Sequence, residues 1–209
     1  MVLAARLSAV AVLLAAALLA GCGARRSSDG RASELHATRA RWPLPIPVGQ
    51  GPAFRLAPHG WAAARAATID HVRCSARPGA RVLAHVELFA RGRVVPVPPG
   101  IGIAPPLVHR GAYVRGGRCS YPVRTTEPTG LLELRSGARL TLGELFAIWG
   151  QPLSRTRLAG FRAPVRTYLD GHPWHGDPRA TPLHAHAVVV LEVGRVVAPH
   201  ARYRFPPNR

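Results

Sequence analysis

Lysine is absent from this 209-residue chain, so every one of the 28 Lys/Arg positions is arginine. That excludes Schiff-base chemistry, a phosphate-loop lysine and a Ser–Lys dyad. Acidic residues are scarce too: 10 Asp and Glu leave a formal net charge of +18. Outside the N-terminus no apolar run reaches the roughly 18 residues of a spanning helix, which excludes a bundle of membrane helices. No GxSxG elbow, no HExxH and no serine in a nucleophile motif occur, so the common hydrolytic signatures are missing. No cofactor is expected. What is present is a 47% hydrophobic fraction, ordinary for a globular chain and too high for wholesale disorder.

The N-terminus carries the clearest signal. Arg6 supplies a positive start, residues 7–19 are almost pure Ala, Val and Leu, and the run ends in Leu19-Ala20-Gly21-Cys22. Small residues before a cysteine resemble the bacterial lipoprotein signal, in which Cys22 is acylated and becomes the mature N-terminus. A plain secretory signal with a coincidental cysteine, or a short anchor helix, is the alternative. Acyl chains contribute about 0.8 kcal/mol per buried CH₂ and hold an extracytoplasmic domain on the cell membrane. Export in turn leaves Cys74 and Cys119 as an even pair in an oxidising compartment. A disulfide between them would close a loop of roughly 45 residues and stabilise by about 3–4 kcal/mol in the chain-entropy model. Two free thiols or a two-Cys metal site are the alternatives, although no CxxC spacing supports the metal.

Losing residues 1–21 removes only Arg6 from the charged set, so the mature chain stays near +17. Such a surface attracts anionic lipid, acidic cell-wall polymer or nucleic acid through a salt-sensitive, non-specific term. Export argues against nucleic acid, and there is no aromatic-interleaved basic run, helix-turn-helix pattern or zinc-finger spacing. The partners expected are therefore the membrane through the lipid, an anionic lipid or wall polymer, or another protein. A biased proteome accounts for the missing lysine but not for the few carboxylates.

Residues 22–58 read as a disordered Pro/Arg-rich tether, with Trp42-Pro43-Leu44-Pro45-Ile46-Pro47 at its heart. Residues 59–207 are long enough for one sizeable core. Within them, residues 84–90 (AHVELFA) alternate as a strand and turn at Arg91-Gly92-Arg93 into 94–97, which Pro96 and Pro98 demote to an edge or an irregular segment. Residues 130–134 form another short strand. Thr141 and Glu144 then fit a capping box, Leu142, Leu145, Phe146 and Trp149 follow at helical spacing, and Gly150 stops the helix. Residues 165–169 run into Asp170-Gly171, a type I′ hairpin signal. Residues 187–193 (AVVVLEV) predict a buried central strand. The fold class is α+β: a β-rich single domain of short hairpins with one short capped helix.

Ten histidines make metal binding the first chemistry to weigh. His184-Ala-His186 in an extended segment would put both imidazoles on one face, while His85 and His109 stand alone. A tetrahedral site needs three or four converging ligands, and the spacing offers only pairs. Glu127 and Glu133 could form a carboxylate pair, but six residues apart across a loop says nothing about geometry. Glu87 and Glu192 fall on predicted strands, as partners of arginine. No catalytic residue is assigned.

Several segments together resemble a group of exported, membrane-anchored bacterial proteins of uncharacterised activity. They are IDHVRC (69–74), HVELFARG (85–92), VPPGIGI (97–103), CSY (119–121), TGLLE (129–133), TLGELFAIWG (141–150), GDPRATPL (176–183), AHA (185–187) and LEVG (191–194). The resemblance covers roughly residues 69–206. Members of the group are often histidine-rich, with one cluster before the first hairpin and another before TG, which implies metal binding. Carried onto this chain, only His85 survives of the first cluster, with Arg81 and Leu83 in the other places. Arg124, Thr126 and Glu127 stand where His, His and Asp would be. Cys74 and Cys119 fall at matching positions, which implies a shared disulfide. The leading expectation is a lipid-anchored, extracytoplasmic, non-catalytic binding or structural module. The alternative is a copper- or zinc-binding domain using His85 with Glu127, or His184 with His186.

Overall fold

A computed structural model describes residues 45–59, 68–77, 79–197 and 202–207. The lipoprotein-like signal, Cys22 and residues 22–44 of the expected tether lie outside the described residues. The described chain builds the α+β, β-rich fold that the patterning predicts, around one seven-stranded sheet. Its strands are β1 (Arg81–Ala90), β2 (Arg93–Val94), β3 (Val123–Arg124), β4 (Leu131–Arg135), β5 (Val165–Leu169), β6 (His172–Trp174) and β7 (Val188–Val193). They lie in the order β6-β5-β7-β1-β4-β3, with β2 paired to the far end of β1. All neighbours are antiparallel except β7 and β1, which run parallel from Val188↔His85 to Val193↔Ala90.

Local chemistry accounts for the turns. Arg91-Gly92 and Asp170-Gly171 take positive φ at both central positions (55° and 74°, 52° and 81°), as a two-residue hairpin matched to strand twist requires. Helix α1 (Leu142–Trp149) starts at Thr141, whose backbone N–H donates to Glu144 Oε2 at 2.7 Å, and ends on Gly150 at φ 73°. Val188–Val193 is buried throughout, as an unbroken β-branched run predicts for a strand covered on both faces.

Period two sorts the sheet into two faces. Ala84, Val86, Leu88, Leu132, Leu134, Val189 and Leu191 point to one side and form a single core with Leu142, Leu145, Phe146 and Trp149 of α1. Each such aliphatic burial contributes about 1.5–3 kcal/mol. Leu83, His85, Phe89, Leu131, Val188, Val190 and Glu192 are buried on the other side. The disulfide joins Cys74 to Cys119 across a Cα–Cα distance of 5.7 Å. Beside it Ser75 and Ser120 exchange backbone hydrogen bonds at 3.0 and 2.9 Å, so the link reinforces an existing bridge.

One boundary differs from the expectation. Residues 45–58, read as tether, are packed onto the domain. Val48 bridges Val94, Gly49 N–H donates to the Val94 carbonyl at 2.8 Å, and Phe54 is buried against Phe161 with ring centroids 5.0 Å apart. Trp149 Nε1 donates to the Ala57 carbonyl at 2.7 Å. A Cβ on Gly49 would sit 1.9 Å from the Phe54 ring, so the glycine is what lets that ring close over the backbone. Proline content misled the reading because a Pro-rich chain can lie along a core as readily as leave it. Phe54→Ala is expected to lower unfolding stability by about 3–5 kcal/mol. Chemical denaturation checks this, and a loss within about 0.5 kcal/mol would return the segment to the tether.

Candidate functional site

The histidine candidates separate into different environments. His85 lies on β1, 3% exposed, with its ring stacked on Tyr203 at 3.7 Å and 13° between planes. Its Nε2–H donates to the Thr129 carbonyl at 2.9 Å, and Nδ1 is 3.8 Å from Glu87 Oε1. Glu127 accepts the Thr129 hydroxyl at 2.9 Å, so Thr129 bonds to both expected ligands. His184 and His186 do not share a strand face: β7 begins only at Val188, and His186 is in a turn at φ 62°. A positive φ breaks the alternation on which the shared face depended. His184 Nε2 instead approaches Asp170 Oδ2 at 3.4 Å, while His186 packs on Phe205 at 4.8 Å. Among the described residues no three His, Cys, Asp or Glu side chains converge as a metal-ligand set.

Arg81, Arg124 and Thr126 form an arginine–carboxylate cluster with Glu133. Arg124 donates from Nε and Nη2 to Glu133 Oε2 at 2.8 and 2.7 Å, and the Thr126 hydroxyl donates to Oε1 at 2.8 Å. Arg81 donates to the carbonyls of Glu133 and Pro122 at 3.1 and 3.2 Å and to that of Tyr121 at 3.3 Å. Burial, with the adjacent Arg124 guanidinium, pulls Arg81 down to about 10, so it remains charged at neutral pH. These groups hold β1, β3 and β4 together.

Carboxylates elsewhere are likewise engaged. Asp70 approaches Arg179 at 3.7 Å, Asp177 accepts the Arg179 N–H at 2.9 Å, and Asp170 accepts the Val188 N–H at 2.8 Å. Glu144 closes the helix cap, and Glu192 accepts the Val197 N–H at 3.1 Å. Folding contacts thus draw on the few acids, and the excess arginine is left to the surface.

Part of that excess, Arg110 and Arg115, lies on one hairpin, formed by Val108–Arg110 and Tyr113–Gly116. Val114 anchors it, fully buried, with its N–H on the Thr126 carbonyl at 2.9 Å. Arg110 pairs with Tyr113 across the strands, the register shifts by a bulge beyond His109, and Arg115 at that bulge is exposed like the other two. The Arg115 guanidinium lies 5.4 Å from the Tyr113 ring centroid, within cation–π range. Val108 and Tyr113 are 59% and 42% exposed, and Arg118 is exposed just beyond. The hairpin carries one tyrosine among its arginines, which is not the aromatic-interleaved run whose absence argued against nucleic acid. Its signal was present: residues 88–126 contain six arginines and not one acid. No family model, curated protein or solved structure matches this chain.

Glu192 is the most deeply buried acid, with no exposed surface, on β7 opposite Arg166 of β5. Burial pushes its carboxyl above the ordinary range, opposed by the Val197 N–H and by Arg166. Between the unfolded and folded pKa values the folded state then holds more protons, so this residue costs stability as pH rises. Glu192→Gln should consequently gain stability relative to the parent from about pH 4 upward, by no more than about 1.4 kcal/mol per pH unit. Denaturation series at several pH values check it, and a pH-independent difference would contradict the assignment.

Proposed function

We propose that the protein is a non-catalytic binding module, held outside the cytoplasm by lipid on Cys22, that docks on an anionic surface through its basic hairpin. The observation that carries this is the exposed trio of Arg110, Tyr113 and Arg115, with exposed Val108 and Arg118 beside it. Cations supply long-range attraction, while a tyrosine and a valine supply apolar area that can enter a headgroup layer. The 22 residues between Cys22 and Pro45 span at most about 80 Å when fully extended.

Two experiments test its two halves. For the hairpin, residues 22–209 carrying Cys22→Ser are sedimented with vesicles of phosphatidylglycerol or of phosphatidylcholine. Binding to the anionic vesicles, weakened about 100-fold by joint replacement of Arg110, Arg115 and Arg118 with Gln, is expected from about 1 kcal/mol per basic residue at the surface. Equal binding to both vesicle types would reject it. For the anchor, Cys22→Ser in the full chain should move the protein from the membrane to the soluble fraction, and unchanged partitioning would reject the lipid.

A further inference from the structure

The chain that leaves β7 returns along the outer face of the sheet. Glu192, near the end of β7, accepts the Val197 N–H at 3.1 Å. Farther on, the Tyr203 ring stacks on His85 at 3.7 Å and Phe205 packs on His186 at 4.8 Å. The two strap rings also meet edge to face, with centroids 4.9 Å apart. Tyr203 and Phe205 are partly buried while Arg202 and Arg204 are exposed, the alternation of an extended segment laid on a surface. In the β1–β7 register Glu192 pairs with Phe89 and Val188 with His85, so these contacts reach from one end of the pairing to the other.

At its origin the strap rests on an ionisable group with little to hold a charge. Glu192 has no exposed surface, and its Oε2 is buried with no hydrogen-bond partner among the described residues. Three things face it: Phe89 from β1, Arg166 from β5 and the Val197 N–H of the strap itself. Arg166 donates to the Gly194 carbonyl at 3.0 Å, so part of its guanidinium is already engaged. A neutral carboxyl is tolerated in such a place. A carboxylate calls for further hydrogen bonds, and water supplies them only if the chain beyond Gly194 lifts away.

We infer that this C-terminal strap is a pH-gated cover, latched while Glu192 is protonated and released as its carboxyl ionises. Burial, opposed by the Val197 N–H and by Arg166, holds the carboxyl above the ordinary range in the closed form. The closed strap therefore binds more protons than the open one. Closure is complete in acid and weakens from about pH 4 upward, by at most about tenfold per pH unit. It levels off once the carboxyl of the closed form has ionised as well. Release uncovers His85 and, beside it on the same face, Leu131 and Val188. The inference is independent of the hairpin proposal and uses none of its residues.

Hydrogen exchange read by mass spectrometry tests it, on the full chain in detergent from pH 4 to pH 8. Each value is normalised to an unstructured peptide of residues 195–209 at the same pH. Protection of the strap should fall at least about tenfold across that range, while the amides of Val188–Leu191 keep theirs. Glu192→Gln, neutral at every pH, should keep the strap protected with a flat profile. Imidazoles titrate in the same interval, so this variant is the discriminating one. A pH dependence that survives in it would assign the switch to His85 or His186 and overturn the latch. Tyr203→Ala should abolish strap protection at every pH, and protection unmoved by it would show that the rings do not seat the strap. A parent strap whose protection does not change with pH, or one that is lost only together with β7, would also overturn the inference.

Discussion

The parallel pairing of β1 with β7 is the contact on which the remaining architecture depends. Six consecutive residue pairs join strands roughly 100 residues apart in the chain, and nearly every side chain of both strands is buried. Everything between them must leave and return around that axis. Strands β3 and β4 add on the β1 side and β5 and β6 on the β7 side, while α1 caps the face formed by Val86, Leu88, Val189 and Leu191. Closing so long a loop costs little more entropy than closing a moderate one, because the cost grows only with the logarithm of length. Burial on both faces more than offsets it.

Charge is distributed by the same architecture. A chain with so many arginines and so few acids uses its carboxylates inward or locally, as helix cap, turn partner and strand clamp. Glu133 shows the pattern most fully, gathering Arg124, Thr126 and the backbone-bound Arg81 into one cluster on the sheet. The arginines left without acids then define surfaces, among them the hairpin around Arg110 and Arg115. At the hairpin the aromatic Tyr113 lies alongside the Arg115 cation.

Much of the local structure was legible in the residues. The capping box at Thr141 and Glu144, the stop at Gly150, the Asp170-Gly171 turn and the buried run before Gly194 are all short-range features, decided by capping, φ preference and apolar patterning. The Cys74–Cys119 link followed from parity and matching positions. What misled was context. His184 and His186 looked like one strand face, but a turn with positive φ intervenes and each ring finds a different neighbour. Residues 45–58 looked like tether, yet Phe54 and Gly49 interlock against the domain. The hairpin at 108–116 has only one anchoring side chain, Val114, and so lacks the strong alternation by which strands are recognised.

By itself, then, the amino-acid order determined where helix, turns and buried strands begin and end, because those depend on residues within a few positions of one another. It also determined the charge, the absence of lysine chemistry and the β-rich class. Only the tertiary structure decided that β1 and β7 are parallel neighbours, that Thr129 bonds to both His85 and Glu127, and that Thr167 lies opposite Trp174 across β5 and β6. Those depend on which distant segments meet, and a period of two or 3.6 specifies a buried face without naming the partner that covers it.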